Sequence, residues 1–107
     1  MVIQLIYSPD CPNVAAARTA LDRALRSYPD APPVTEIDVT DPVTPAHLRA
    51  WGSPTVLVDG VDVAGDEPGT EPVALCCRLY QVGESRGAPL VVQIQFALER
   101  ARQSAGL

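Results

Sequence analysis

The stretch VIQLIYSPDCPNV (residues 2–14) decides the fold, because the spacing of its apolar residues changes at a cysteine. Residues 2–7 form a short, mostly apolar, β-forming run, which predicts a buried strand. From Pro12 onward the apolar positions fall three or four residues apart and predict an amphipathic helix through Val14, Ala17, Leu21, Leu25 and Tyr28. Pro12 suits the first turn of that helix, where its missing N–H would be unpaired anyway. Cys11 is therefore predicted at or beside the helix N-cap.

Further segments follow downstream. The patterns predict a strand at residues 34–39, a short helix at 45–51, a strand at 55–63 and another strand at 74–82. Asp59-Gly60, inside the third of these, is typical of a hairpin turn. The tail from Leu90 alternates like a strand as far as Phe96, but its four-residue spacing and the helix-forming residues 97–103 favour a helix.

The predicted order is β-α-β-α-β-β-α. Two strand–helix–strand units would form a parallel portion, and right-handed crossovers would place helices on the faces of the sheet. The hairpin strand would add an antiparallel edge. We therefore expect one α/β domain over residues 1–107, with a four- to five-stranded mixed sheet and helices on both faces.

The amino-acid composition excludes some classes of function. The chain has 107 residues, is 47% hydrophobic and carries a formal net charge of -5, with arginine as its sole basic residue type besides His47. Without lysine, Schiff-base chemistry is excluded, and without a basic stripe a nucleic-acid partner is not expected. The first apolar run is too short for a signal-peptide core or a membrane span, which predicts a cytoplasmic protein with no membrane partner.

Three cysteines in such a compartment are expected to be reactive, metal-binding or buried rather than a disulfide framework. A sulfur at a helix N-terminus meets unpaired N–H groups and the positive end of the helix dipole. Both favour thiolate, so the pKa of Cys11 is predicted to lie below that of a free cysteine. Asp10 would oppose this effect if its carboxylate pointed at the sulfur. The alternative is that Cys11 is a small cap residue with no chemistry.

The second signal is GSPTVLVDG (residues 52–60). A proline that opens a strand cannot donate to the sheet ladder. Ser53-Pro54 before a β-branched run is therefore a candidate for a cis peptide in a tight bend.

Together, the CP helix start and the GSPT strand start some forty residues later resemble the thioredoxin superfamily, in particular small thioredoxin- and glutaredoxin-like proteins. The resemblance covers residues 2–63 and, loosely, the final helix. It implies a thioredoxin-like fold with Cys11 as nucleophile and Pro54 in cis beside it. It also implies that Ser53, Pro54 and Pro12 contact the substrate, with backbone groups of Ser53 pairing with a bound thiol substrate.

The chain departs from the family at two places. Val14 stands where the dithiol motif has its second cysteine, so a dithiol cycle within CPNV is excluded. Ser8-Pro9-Asp10 replaces the aromatic residue that often precedes the motif. Monothiol members form a mixed disulfide with glutathione or use a distant resolving cysteine. The implied partner is thus a small molecule or protein bearing a thiol or disulfide, and the implied cofactor is at most a low-molecular-weight thiol.

Cys76 and Cys77 supply candidate distant thiols. Neighbouring strand residues point to opposite faces, so one of the pair at most faces Cys11, and a disulfide needs Cα atoms within about 7 Å. The pair equally suits two buried strand residues. The segment LCCRLY (residues 75–80) also resembles the vicinal-cysteine strand of organomercurial lyases. That resemblance implies that a thiophilic metal ion could bind through Cys11, Cys76 and Cys77, with Asp10 supplying the acid.

Three functions follow as hypotheses. We favour a thiol–disulfide oxidoreductase that uses Cys11 alone or with Cys76 or Cys77. The alternatives are thiophilic-metal or organomercurial handling by all three cysteines, and a non-catalytic binding module of the same fold. His47 is expected to be a solvated helix residue, and Trp51 to be a core residue or a lid over the substrate-docking turn that the resemblance assigns to Ser53-Pro54.

Overall fold

The computed structural model of the chain describes residues 1–65, Pro89 and residues 91–105. Their elements are β1 (Ile3–Tyr7), α1 (Val14–Leu25), β2 (Thr35–Asp38), α2 (Ala46–Arg49), β3 (Thr55–Val58), β4 (Val61–Asp62) and α3 (Val91–Ala105). The strands predicted at residues 2–7, 34–39 and 55–63, the two helices between them and the helical tail are confirmed in type and order, with the segment 55–63 divided at Asp59-Gly60 into β3 and β4. The strand predicted at residues 74–82 lies outside the described residues.

The four strands form one mixed sheet in the order β2-β1-β3-β4. β1 is central, pairing parallel with β2 and antiparallel with β3. β4 pairs antiparallel with β3 and lies at the edge of the described sheet. The predicted mixed sheet and its antiparallel hairpin edge are therefore confirmed.

The prediction of two parallel strand–helix–strand units is wrong for the second unit. β3 runs antiparallel to β1, and β1 runs parallel to β2, so β3 is also antiparallel to β2. The reason lies in the connection from β2 to β3. The four residues of α2 make a helix of only about 6 Å, too short to carry the chain back along the sheet. β3 therefore begins at the end of the sheet where β1 and β2 finish.

One face of the sheet is covered by α1 and α3. Ile3 and Leu5 of β1 are buried in a cluster that contains the buried stripe of α1 and the inner face of α3. Val56 and Val58 of β3 join the same cluster, as alternation along a strand requires. The apolar stripe predicted for α1 is therefore the buried side of the helix, since Ala17 and Leu21 lie in the cluster against the sheet.

The opposite face carries a smaller cluster. Ile6 and Leu57 point to this side, where Trp51 packs on them and Leu48 of α2 lies against the group. Helices therefore lie on both faces, as predicted. Trp51 is only 8% exposed, which makes it a core residue.

A two-residue hairpin joins β3 to β4. Val58 pairs with Val61, and the residues between them, Asp59 and Gly60, have φ values of 52° and 80°. Positive φ at both positions matches the twist of the flanking strands and explains the Asp-Gly pair. The turn is tied to the start of β1, since Val2 N–H donates to Asp59 Oδ1 at 2.7 Å and Asp59 N–H to the Val2 carbonyl at 2.8 Å.

The end of α1 is fastened to α3. The Tyr28 hydroxyl donates to Glu99 Oε2 at 3.0 Å, and the Arg102 guanidinium lies 5.5 Å from the Tyr28 ring centroid while pairing with Glu99. Partial burial, and then the hydrogen bond to Glu99, raise the pKa of Tyr28. The same hydrogen bond lowers the pKa of Glu99. In the described part of the chain, no helix has the length and apolarity needed to cross a membrane.

Candidate functional site

Cys11 is shared by two consecutive four-residue turns between β1 and α1. In the first turn, SPDC, Cys11 N–H donates to the Ser8 carbonyl at 3.0 Å. In the second, CPNV, Val14 N–H donates to the Cys11 carbonyl at 3.4 Å. Each turn has proline at its second position, where the fixed φ of proline is favoured. The two prolines thus shape the segment that presents the thiol.

This arrangement corrects the predicted helix start. α1 begins at Val14 with Asn13 as N-cap, and the first helical hydrogen bond runs from Ala17 N–H to the Asn13 carbonyl at 3.2 Å. Cys11 lies two residues before the cap, and Pro12 is an exposed turn residue rather than the first residue of the helix. The helix-terminal field falls off within one turn, so its effect at Cys11 is weaker than the sequence suggested.

The Ser53–Pro54 peptide bond is cis, as the sequence and the resemblance predicted, and it lies beside Cys11. The Cys11 thiol donates to the Ser53 carbonyl oxygen, with 3.7 Å between Sγ and O. The β1–β3 register explains this contact between residues 42 apart in sequence. Ile6 is opposite Thr55, and the same register continued outward places Ser8 opposite Ser53.

The Ser53 contact depends on the proton of the thiol. An S–H group can donate to a carbonyl oxygen, whereas a thiolate has no proton and could not make this hydrogen bond.

The Ser53 side chain makes a second link to the cysteine segment. Ser8 N–H donates to Ser53 Oγ at 2.9 Å, and both serines are only 3% exposed. Sequence reasoning missed Ser8 as a site residue. The signal was present in the register, since a residue directly after β1 and one directly before the Pro54 bend of an antiparallel β3 come to lie opposite each other.

The surroundings of Cys11 are open on one side and packed on the other. Pro9, Asp10 and Pro12 are exposed, whereas Cys11 itself is half-buried and packs against the larger core cluster. A side chain in this position can be reached from solvent and is held by the core beneath it.

Val14 explains why the position three residues after Cys11 holds no thiol. Its side chain is 6% exposed and belongs to the core cluster beneath α1. This position serves packing, so it supplies no second thiol beside Cys11.

The other residues that the sequence singled out are Cys76, Cys77 and His47. Cys76 and Cys77 lie outside the described residues, and their pairing with Cys11 stays a prediction. His47 is exposed on α2, as expected. Within residues 1–65 and 91–105, no group of three His, Cys, Asp or Glu side chains is placed to hold a metal ion.

A cavity of about 340 Å³ lies beyond the start of β1, the end opposite to Cys11, with Met1, Tyr28, Asp30 and Arg102 in its wall. Arg102 already pairs with Glu99 and lies over the Tyr28 ring. The guanidinium in this wall is therefore already paired within the helix–helix contact.

Over the described residues, the fold and the site define an α/β structure with a four-stranded mixed sheet, in which a half-buried cysteine contacts a cis X-Pro bend. No family model, no curated protein and no solved structure matches this chain.

Proposed function

We propose that this chain is a thiol–disulfide oxidoreductase-like protein of the thioredoxin superfamily, with Cys11 as nucleophile. The observation that carries the proposal is the contact of Cys11 Sγ with the carbonyl of Ser53, the residue before Pro54. The resemblance implies the same neighbourhood of cysteine and proline, and Ser53 and Pro54 would form the docking turn for the substrate. Pro12, exposed next to Cys11, would contact the substrate from the other side.

The reaction is a series of thiol–disulfide exchanges. Cys11 loses its proton to solvent, and its thiolate attacks one sulfur of a substrate disulfide. An S–S bond forms between Cys11 and the substrate while the substrate S–S bond breaks, and the leaving sulfur takes up a proton. A second thiol then attacks the Cys11 sulfur of the mixed disulfide, so that the second substrate sulfur leaves as a thiol and Cys11 forms a disulfide with the resolving thiol. When the resolving thiol is glutathione, a second glutathione attacks the glutathione sulfur, which frees Cys11 as a thiol and forms oxidised glutathione. When it is Cys76 or Cys77, two external thiols reduce the internal disulfide. In either route the substrate disulfide gains two electrons, and two external thiols are oxidised to one disulfide.

Docking is coupled to ionisation of Cys11 in this scheme. When Cys11 ionises, its hydrogen bond to the Ser53 carbonyl is lost. That oxygen is then available to accept an N–H of a docked polypeptide or of a peptide-like thiol such as glutathione. One backbone group would thus hold the resting thiol and later the substrate.

The source of the resolving thiol can be determined by mass spectrometry. Cleavage at arginine places Cys11 alone in peptide 1–18 and both Cys76 and Cys77 in peptide 50–78, since the chain has no lysine. After reaction with oxidised glutathione, a glutathione adduct on peptide 1–18 supports the monothiol route. A crosslink between the two peptides supports an internal resolving cysteine. A peptide 1–18 that stays unmodified under conditions that oxidise peptide 50–78 would contradict the proposal.

A serine series at the three cysteines separates the other functions. The variants Cys11→Ser, Cys76→Ser and Cys77→Ser are assayed for glutathione- or dithiol-driven disulfide reduction and for Hg(II) or Zn(II) stoichiometry. We expect reduction to be lost in Cys11→Ser, and in one other variant if the cycle is internal. Tight metal binding that needs all three thiols would favour the thiophilic-metal function instead. Neither activity in the wild type would favour a binding module.

A further inference from the structure

Three hydrogen bonds join Cys11, Ser8 and Ser53 in a closed ring. Ser8 N–H donates to Ser53 Oγ at 2.9 Å, and Cys11 N–H donates to the Ser8 carbonyl at 3.0 Å. Cys11 Sγ then donates back to the Ser53 carbonyl at 3.7 Å. We infer that the Ser53 hydroxyl is a positioning group, which fixes the Cys11 segment against the docking turn. The role of this positioning in disulfide exchange rests on the proposed function.

The ring contains two side-chain groups, the Cys11 thiol and the Ser53 hydroxyl, and the hydroxyl can be removed without changing the nucleophile. The link from Cys11 N–H to Ser8 closes a local turn and does not reach β3. Ser8 N–H and Ser53 Oγ, by contrast, join segments 45 residues apart and are buried. Replacing the hydroxyl by hydrogen would leave Ser8 N–H without this acceptor in a buried position. Because an unpaired buried N–H is costly, the turn would move toward water and carry Cys11 with it.

The movement has opposite consequences for two kinds of reaction. A small alkylating reagent needs only access to the sulfur, so release of the half-buried Cys11 from the Ser53 carbonyl should speed alkylation. Disulfide exchange with a docked substrate needs the sulfur at a fixed place beside the docking turn, so the same release should slow it. A hydroxyl that served stability alone would change neither rate in the folded protein.

The test compares Ser53→Ala, Ser53→Thr and the control Tyr28→Phe with the wild type. The control also removes one part-buried hydroxyl hydrogen bond, at the distant contact with Glu99. Iodoacetamide alkylation is followed on peptide 1–18, and kcat/KM is measured for glutathione-driven disulfide reduction. In Ser53→Ala we expect alkylation to rise about fivefold, the equivalent of one hydrogen bond. We expect kcat/KM to fall by at least about tenfold. Ser53→Thr should restore both rates, and Tyr28→Phe should change neither.

Alkylation of Ser53→Ala at the wild-type rate would overturn the inference, even if the protein were an active reductase. Conversely, a wild type without reductase activity would refute the proposed function, while the alkylation rates would still test the ring. If Ser53→Ala does not fold, hydrogen exchange of the wild-type protein decides. The Ser8 amide should exchange far more slowly than in an unfolded peptide, and exchange at the peptide rate would overturn the inference.

Discussion

Cys11 Sγ and the Ser53 carbonyl oxygen lie 3.7 Å apart because β1 and β3 run antiparallel. Cys11 follows the carboxyl end of β1, and Ser53 precedes the amino end of β3. In an antiparallel pair these two ends meet. Had β3 run parallel to β1, the Pro54 bend would lie at the other end of the sheet, a strand's length from the thiol.

The first prediction concerns Cys11→Ser. A serine hydroxyl can donate to the Ser53 carbonyl as the thiol does, and the side chain is only half-buried. We expect the free energy of unfolding to change by less than about 1 kcal/mol, while disulfide reduction is abolished. Urea unfolding beside the reductase assay checks both. A large loss of stability would mean that the sulfur is chiefly a packing group, and would point away from chemistry.

A second prediction contrasts two residues of α3. Ile94 is fully buried between the helix and the sheet, whereas Phe96 is 72% exposed. Ile94→Ala should cost about 2–5 kcal/mol, since it removes apolar contacts and leaves a cavity. Phe96→Ala should stay within about 0.5 kcal/mol of the wild type. Denaturant unfolding of both variants measures the difference, and similar losses for the two would show that this face of α3 is not placed as described.

The third prediction concerns the hairpin. Asp59→Asn keeps both the tolerance for positive φ and the acceptor for Val2 N–H, so its stability should match the wild type. Asp59→Ala should cost about 1–2 kcal/mol through backbone strain and the lost hydrogen bond. Gly60→Ala should cost about 1 kcal/mol from its φ of 80° alone, because no atom lies within 4 Å of the added Cβ. Equal stability of all three variants would contradict the positive φ values.

The fourth prediction concerns pH. Arg18 of α1 donates to Glu36 of β2 at 2.7 Å and 3.0 Å, and this hydrogen bonding lowers the pKa of Glu36. A carboxyl with a lowered pKa in the folded state contributes stability above its unfolded pKa, and loses it as pH falls through the folded value. Both side chains are more than a third exposed, so the effect should be small.

The melting temperatures of the wild type and of Glu36→Gln are measured from neutral pH to a pH below the ordinary pKa of glutamate. The wild type should melt slightly higher at neutral pH, and the gap should close in acid. High salt at neutral pH should also narrow it, because exposed ion pairs are screened. A gap that stays constant across the pH range would assign the effect of the substitution to packing.

Much of the described fold could be predicted from local patterns. The three- and four-residue spacing of Val14, Ala17 and Leu21 predicted α1, and Asp59-Gly60 predicted the hairpin, because each signal reflects an interaction close in sequence. The direction of β3 could not be predicted in this way. It depends on which strand β3 pairs with, and that is a property of the whole sheet.

In the candidate site, too, some features could be predicted from the local sequence and others could not. Cys11 and Ser53-Pro54 could be proposed from their residue types and from the strand and helix signals beside them. The later start of α1 could not, because CPNV satisfies a closed turn as well as a first helical turn. Ser8 was missed because its importance comes from a backbone N–H, which every residue except proline has, and from its place opposite Ser53.

Trp51 is the one tryptophan of the chain, and it is buried on Ile6 and Leu57 two residues before Ser53. Its indole therefore gives the protein an intrinsic optical reporter beneath the bend that faces the thiol. Tryptophan emission shifts to the red as the ring becomes hydrated, so unfolding and any rearrangement of this bend can be followed in real time without a label. If Cys11 exchanges with a disulfide as proposed, a stopped-flow trace of that emission tests whether the exchange changes the surroundings of Trp51.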